Sequence, residues 1–141
     1  MKLHVLGSSS SGNCYLFQSE KTGEVLAVEA GVKFNKVKKV LDFNLNSIVG
    51  CIVSHEHGDH AKCVGRFYKR LHTLLYESRH KIMRLVSLPS YWAKGLLPFE
   101  QVVINGFRVI PFPVQHDAAE PYGYLIRHEE CGTVLFATDT Y

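Results

Sequence analysis

A chain of 141 residues with 46% apolar residues is one domain, long enough for a sizeable core. Its net charge of +3 is too mild to argue for nucleic-acid binding, and no apolar run approaches the ~20 residues that a membrane span needs. Cys14, Cys51, Cys63 and Cys131 show no Cys-x-x-Cys spacing and no secretory signal precedes the first strand, so the expectation is a soluble cytoplasmic protein with reduced thiols. Residues 2–6 alternate polar and apolar side chains and predict a strand; residues 14–18 predict its return, making a hairpin around residues 7–13. That loop holds two glycines and four serines. Its backbone N–H groups could cradle phosphate at Ser9, Ser10, Ser11, Gly12 and Asn13, or it could be an ordinary surface connection. Residues 24–29 predict a third strand. Residues 35–42 predict a helix, with Phe34, Val37, Val40 and Leu41 on one face and Lys33, Lys36, Lys38 and Lys39 around it. These lysines read as a solvated face, with attraction of phosphate as the alternative.

Residues 50–53 predict a buried strand, and residues 60–71 a helix with Val64, Phe67, Tyr68 and Leu71 on its apolar face. Between them stands His55-Glu56-His57-Gly58-Asp59-His60, three histidines and two carboxylates in six residues. Alternate residues of an extended segment point the same way, so His55 and His57 can share one divalent ion. Asp59 and His60, past the turn at Gly58, can reach a second beside it. Imidazole nitrogen and carboxylate oxygen are donors that zinc accepts readily. The bland alternative, a polar turn rich in histidine, suits a lone histidine better than this spacing after a strand.

His55-x-His57-x-Asp59-His60 resembles the signature of the metallo-β-lactamase superfamily. The opening Gly7-Ser8-Ser9-Ser10-Ser11-Gly12-Asn13-Cys14 is similar to the Gly-Ser-rich start of its WalJ/YycJ-like, exonuclease-like phosphodiesterase branch, and the similarity runs over essentially the whole chain. The resemblance implies an α/β fold: the first αβ half of a metallo-β-lactamase-type αβ/βα sandwich, a mixed sheet with helices on one side. It implies that His55 and His57 bind a first metal and Asp59 and His60 a second, and it puts the serine loop at the rim of the site. The family usually has aspartate where Glu29 stands, supporting a metal ligand or its loop. Glutamate keeps the charge and adds a methylene, which alters its reach.

Further along, His72 reads as a helix-end or surface histidine. Residues 73–77 predict a strand and residues 78–81 a basic polar segment, in which His80 has no partner at ligand spacing. Residues 89–97 predict a short helix between Pro89 and Pro98. Strands are predicted over 101–104, 107–113, 122–127 and 133–138, with Asn105-Gly106 a tight turn. His116 follows a strand and opens a loop, a place suited to a site residue. The resemblance implies that His116 is the third histidine on the first metal, that Asp117 is its supporting neighbour, and that Asp139 is the carboxylate bridging both ions. Complete members carry a further half with a last second-site histidine. The expectation is therefore a single domain over 1–141, truncated after Asp139, with the first site the more complete. A second chain, or another copy of this one, would supply the remainder.

Two such ions, about 3.5–4 Å apart, hold a shared water, lower its pKa towards about 7 and offer hydroxide as nucleophile, with Asp59 orienting it. The leading expectation is a hydrolase using two divalent ions, zinc or manganese, on the phosphodiester bonds of DNA or RNA, the nucleic-acid substrate resting on the resemblance. A small-molecule hydrolase of the same fold, acting on a cyclic phosphodiester, thioester or lactam, is the second reading. A catalytically inactive metal-binding fragment serving as an interaction module is the third.

Overall fold

The computed structural model describes residues 1–71, 75–78 and 93–141. The described strands are β1 (Lys2–Gly7), β2 (Cys14–Gln18), β3 (Val25–Val28), β4 (Ile48–Ile52), β5 (Leu75–Ser78), β6 (Ala93–Leu96), β7 (Val102–Ile104), β8 (Phe107–Pro113), β9 (Tyr122–His128) and β10 (Gly132–Phe136). The helices are α1 (Phe34–Val40), α2 (Gly58–Ala61) and α3 (Val64–Leu71), and a 3-10 turn at Leu45–Ser47 leads into β4. The first six strands form one mixed sheet in chain order, antiparallel from β1 to β3 and parallel from β3 to β6. The last four form a second, antiparallel sheet in the order β10-β9-β8-β7.

The mixed sheet is covered on both sides. All four residues of β3 are buried, as expected of a strand whose run of apolar side chains shows no alternation. Val25 and Ala27 face a core shared with Phe34 and Val37 of α1 and Phe67 of α3, where the Phe34 and Phe67 rings meet edge to face at 5.1 Å. Leu26 and Val28 face the opposite core, shared with Phe107, Val109, Tyr124 and Ile126 of the second sheet. Helices thus lie on one side of the mixed sheet, and the β7–β10 strands, whose placement the sequence pattern left open, cover the other.

α1 carries its apolar residues at Phe34, Val37 and Leu41, the spacing of one helical face. It ends where Asp42 and Phe43 turn left-handed (φ 47° and 63°), with Phe43 N donating to Lys38 O at 2.8 Å.

Two predicted helices are corrected. The single helix over 60–71 is two, α2 and α3, because the carbonyls of Asp59 and His60 are taken by backbone N–H groups from outside the helix (2.7 and 2.6 Å, from Asn13 and Ala30). Cys63 N turns instead to Ala30 O at 2.9 Å. The predicted helix over 89–97 gives way to β6, which pairs parallel to β5 and buries Leu96 while exposing Lys94. Two flanking prolines mark the extent of a segment but not its period, and the open edge of β5 supplies the hydrogen bonds that select a strand. His72, His80 and the remainder of that prediction, 89–92, lie outside the described residues, as do 73–74 of the strand predicted over 73–77.

None of the four cysteines forms a disulfide among the described residues, and Cys14 and Cys51 are buried. Burial, reinforced by the charge of Glu29, pushes the Cys14 thiol up to about 12. Among the described residues no helix is long and apolar enough to cross a membrane.

The two sheets are joined near the end of β4. Tyr124 of β9 donates its buried hydroxyl to Val53 O at 2.6 Å, and Tyr122 N donates to Ser54 O at 2.9 Å. Tyr124→Phe removes the first donor and leaves a buried carbonyl short of a partner. A loss of about 1–3 kcal/mol in urea unfolding is expected, with the m-value unchanged.

Candidate metal centre

β3 and β4 are parallel neighbours, so their C-terminal ends deliver Glu29 and the segment from Ser54 to His60 to the same edge of the sheet. β8 ends just before His116 and β10 just before Asp139, and the second sheet carries both to that edge. Tyr141 N donates to Gln115 O at 3.3 Å, and Ala119 N to Glu56 Oε1 at 3.2 Å, which ties these two loops to each other and to the histidine-rich turn.

The result is a packed set of imidazoles. The His55 ring lies 4.6 Å from His57, 4.1 Å from His60 and 4.7 Å from His116, centroid to centroid, and His57 and His116 are 5.0 Å apart. His116 Nε2 is 3.2 Å from His57 Nδ1. Two groups have their donor atoms within 4.8 Å of one another: His55 with His57 and His116, and His55 with His60 and Asp139. Asp59 stands beside the second, its Oδ2 lying 3.3 Å from His60 Nε2, while Asp139 Oδ2 lies 2.7 Å from the same nitrogen. His55 Nδ1 is engaged by Ser54 Oγ at 2.9 Å, which leaves Nε2 as the atom turned towards Asp139, at 3.9 Å. Clustered imidazoles with carboxylates beside them form a donor set that suits a zinc- or manganese-like ion, so these residues fit divalent metal.

Glu29 is fully buried behind the cluster. Its Oε2 accepts from Ser54 N at 3.3 Å, and its Oε1 stands 3.3 Å from His60 Nδ1, within ion-pair distance. A carboxylate behind a ring nitrogen fixes the orientation of the imidazole and leaves its other nitrogen for an ion. Both Glu29 and Asp139 have left-handed backbones (φ 68° and 46°), a strained choice for side chains with a Cβ. Each sits where the chain leaves or passes a strand end and must turn its carboxylate back towards the histidines.

Asn13, which the sequence offers only as part of a phosphate loop, is nearly buried and reaches the cluster itself. Its Nδ2 lies 3.4 Å from Asp59 Oδ2 and 3.2 Å from His60 Nε2. An asparagine at the end of a serine-rich loop carries no spacing signal, so only the fold shows this contact. Ser9, Ser10 and Asn13 line an open cleft of about 300 Å³ together with Asp59, Thr138 and Asp139, whereas Ser11 and Gly12 do not. Asp117 is exposed and makes no hydrogen bond or ion pair among the described residues, because the turn after His116 points it to solvent. The supporting carboxylate in place is that of Glu29.

The sequence profile of the metallo-β-lactamase superfamily matches residues 9–140. The chain belongs to that superfamily. Two relatives within it are an exodeoxyribonuclease YycJ from Bacillus anthracis, 31% identical over 152 residues, and an exodeoxyribonuclease WalJ from Streptococcus pneumoniae, 27% identical over 149. Each alignment takes in 99% of this chain but 55% and 54% of the relative, so the chain spans about half the length of the curated relatives it matches. Among solved structures, the metallo-β-lactamase fold protein YhfI from Bacillus subtilis superposes with a TM-score of 0.69 at 20% identity, over 94% of this chain and 60% of that one. A metallo-β-lactamase from Staphylococcus aureus reaches 0.75 at 17% identity, over 96% and 41%. These superpositions establish the superfamily fold over nearly the whole chain.

Burial works against a charged His60, but contact with Glu29 and the charges of Glu29, Asp59 and Asp139 outweigh it and hold the ring's pKa above its ordinary value. Without metal, the protonated ring adds stability below its unfolded pKa, and that contribution is lost as pH rises through the folded one. Metal binding runs the other way, since an ion takes only the neutral ring. Zinc affinity, measured by competition with a chromogenic chelator, is expected to keep rising with pH beyond the point where a free histidine has lost its proton. A profile that levels off at the ordinary histidine value would contradict this account.

Proposed function

We propose that this chain carries the metal centre of a metal-dependent hydrolase acting on phosphodiester bonds of nucleic acid, in the manner of an exonuclease. The observation that carries the reading is the clustering of His55, His57 and His116 with Asp59, His60 and Asp139, of which Asp59 and Asp139 line an open cleft. The substrate class draws on the relatives that are named exodeoxyribonucleases. His55, His57 and His116 would hold one ion and Asp59, His60 and Asp139 the other. When bound, such ions polarise a phosphoryl oxygen and make water a competent nucleophile near neutral pH.

The protein's own groups divide the remaining work. Asp59, 27% exposed and in the cleft wall, can orient the attacking water through Oδ2 and take its proton. Asn13 fixes that carboxylate by donating to it. Glu29 holds the His60 ring from behind. Ser10 presents its hydroxyl at the rim beside Ser9, whose Oγ is shared with Ser11 Oγ at 2.8 Å, and Thr138 lines the same cleft with its Oγ1 unpartnered among the described residues, so Ser10 and Thr138 can donate to phosphate oxygens.

Metal content measured with hydrolysis of end-labelled DNA and RNA tests the reading. At least one equivalent of zinc or manganese is expected, with activity lost to chelator, restored by metal and steeply dependent on salt, because phosphate contacts release counterions. Absence of metal after reconstitution would defeat the proposal, and a salt-insensitive rate would favour a small phosphodiester as substrate. His116→Ala is expected to lose the metal held with His55 and His57, while His80→Ala retains it.

For Asp59→Ala, turnover should fall by about 10²-fold or more, with a much smaller relative change in melting temperature. A large fall in melting temperature with turnover per folded molecule preserved would assign Asp59 a structural role instead.

A further inference from the structure

Half of the chain's sixteen lysines and arginines lie in two segments that contain no acid. They are Lys33, Lys36, Lys38 and Lys39 within 31–41, and Lys62, Arg66, Lys69 and Arg70 within 61–71. The two segments form the helix layer of the fold, and a groove of about 370 Å³ runs between them. Its wall is Lys33, Phe34, Asn35 and Lys38 on one side and Cys63 and Arg66 on the other, three cations and no carboxylate. Lys33, Lys38 and Arg66 have no acidic partner among the described residues; Lys38 stands 5.8 Å over the Phe34 ring. By contrast, Lys36 and Lys62 are committed to backbone carbonyls, of Leu6 at 3.2 Å and of Ser11 at 2.6 Å.

The groove and the metal cluster are built on the same short segments of chain. Lys33 is four residues beyond Glu29, Cys63 is three beyond His60, and Cys63 N bonds Ala30 O at 2.9 Å. Lys62 joins the groove side to the serine loop, whose Ser9 and Ser10 line the cleft. Three cations with no acid among them suit the phosphates of a strand that extends beyond the cleft. A second basic pair, Arg108 and Arg127, lies at the other ends of β8 and β9 and shares its hollow with Glu24 and Glu129, which offset its charge.

We infer that the groove between α1 and α3 is a binding track for the phosphate backbone of a single-stranded nucleic acid, holding the part of the substrate outside the cleft. The inference rests on the nucleic-acid reading above. It also gives the lysines of α1 a use beyond solvation.

The test is binding of a short fluorescent single-stranded oligonucleotide to the full chain, in chelator so that nothing is cut, between about 50 and 200 mM salt. The triple variant Lys33→Gln/Lys38→Gln/Arg66→Gln is compared with the parent and with Arg108→Gln/Arg127→Gln, and each single groove variant is measured beside it. The triple variant is expected to bind at least about tenfold more weakly, with its log–log salt slope shallower by about 2, at ~0.7 per single-strand phosphate contact. The Arg108/Arg127 variant should bind as the parent does. Hydrolysis of a small chromogenic phosphodiester by the metal-loaded protein should be the same in all three.

Parent-like affinity and slope in the triple variant would overturn the track while leaving the proposed reaction standing. A parent that shows no salt-dependent binding would remove the nucleic-acid reading and the track with it. Loss of the small-diester rate in the triple variant would show that these side chains act through the metal cluster, and would overturn the track as well.

Discussion

The geometry of the centre depends on who accepts whose backbone hydrogen bonds around residues 59 and 60. In an uninterrupted helix the carbonyls of Asp59 and His60 would accept from Cys63 and Val64. Here they accept from Asn13 and Ala30, while Gly31 N donates to Asn13 O at 2.8 Å and Cys63 N to Ala30 O. Three stretches distant in sequence, the serine loop, the end of β3 and the start of α2, are thereby joined backbone to backbone. The approach is close enough that a Cβ on Gly31 would lie 1.5 Å from Asp59 O, and one on Gly12 would lie 2.3 Å from Gly31 O. Side chains are excluded at both positions. Asp59 and His60 thus project from a single helical turn held at both ends, and their donor atoms are in place by virtue of the fold.

Around this junction the sandwich does the holding. The β3 and β4 ends are clamped between the helix-side core and the second sheet, and Tyr122 and Tyr124 reach across to bond the segment that carries His55. Such clamping accommodates two left-handed acids, each at a cost of about 1–3 kcal/mol. The site also gathers Glu29, Asp59 and Asp139 around His60. Three acids at such range repel one another, and the same cluster that raises the His60 pKa is relieved when positive charge enters.

Much of this was legible in the chain. His55, His57, Asp59 and His60 stand within six residues, so their spacing alone suggests convergence, and the alternating or wholly apolar runs mark the strands flanking them. His116 and Asp139 carry no local pattern; the likeness to a family pointed to them, and the two sheets bring them to the same edge. The supporting residues were harder to read. Asp117 looked like a partner because it adjoins His116, yet adjacent residues in an extended turn point apart. Asn13 looked like a loop residue because its partner lies 46 positions away. The break between α2 and α3 was hidden for a related reason: Ala61, three residues before Val64, continues the apolar spacing of α3 back across it, and only long-range backbone bonds interrupt the helix. β6 is an edge-of-sheet decision that no four-residue window contains.

The capture of the Asp59 carbonyl changes what the serine loop is. Surface hairpins commonly tolerate an added residue, since their backbone answers only to water. Between Ser9 and Asn13 that freedom is gone: lengthening the loop by one would draw the Asn13 donor off the Asp59 carbonyl and remove one of the backbone bonds that part α2 from α3. Each residue by which α2 slipped would swing Asp59 and His60 about 100° around its axis. The length of this hairpin is therefore a setting of the geometry of the histidine cluster, held in a part of the chain that contributes no imidazole or acid to it.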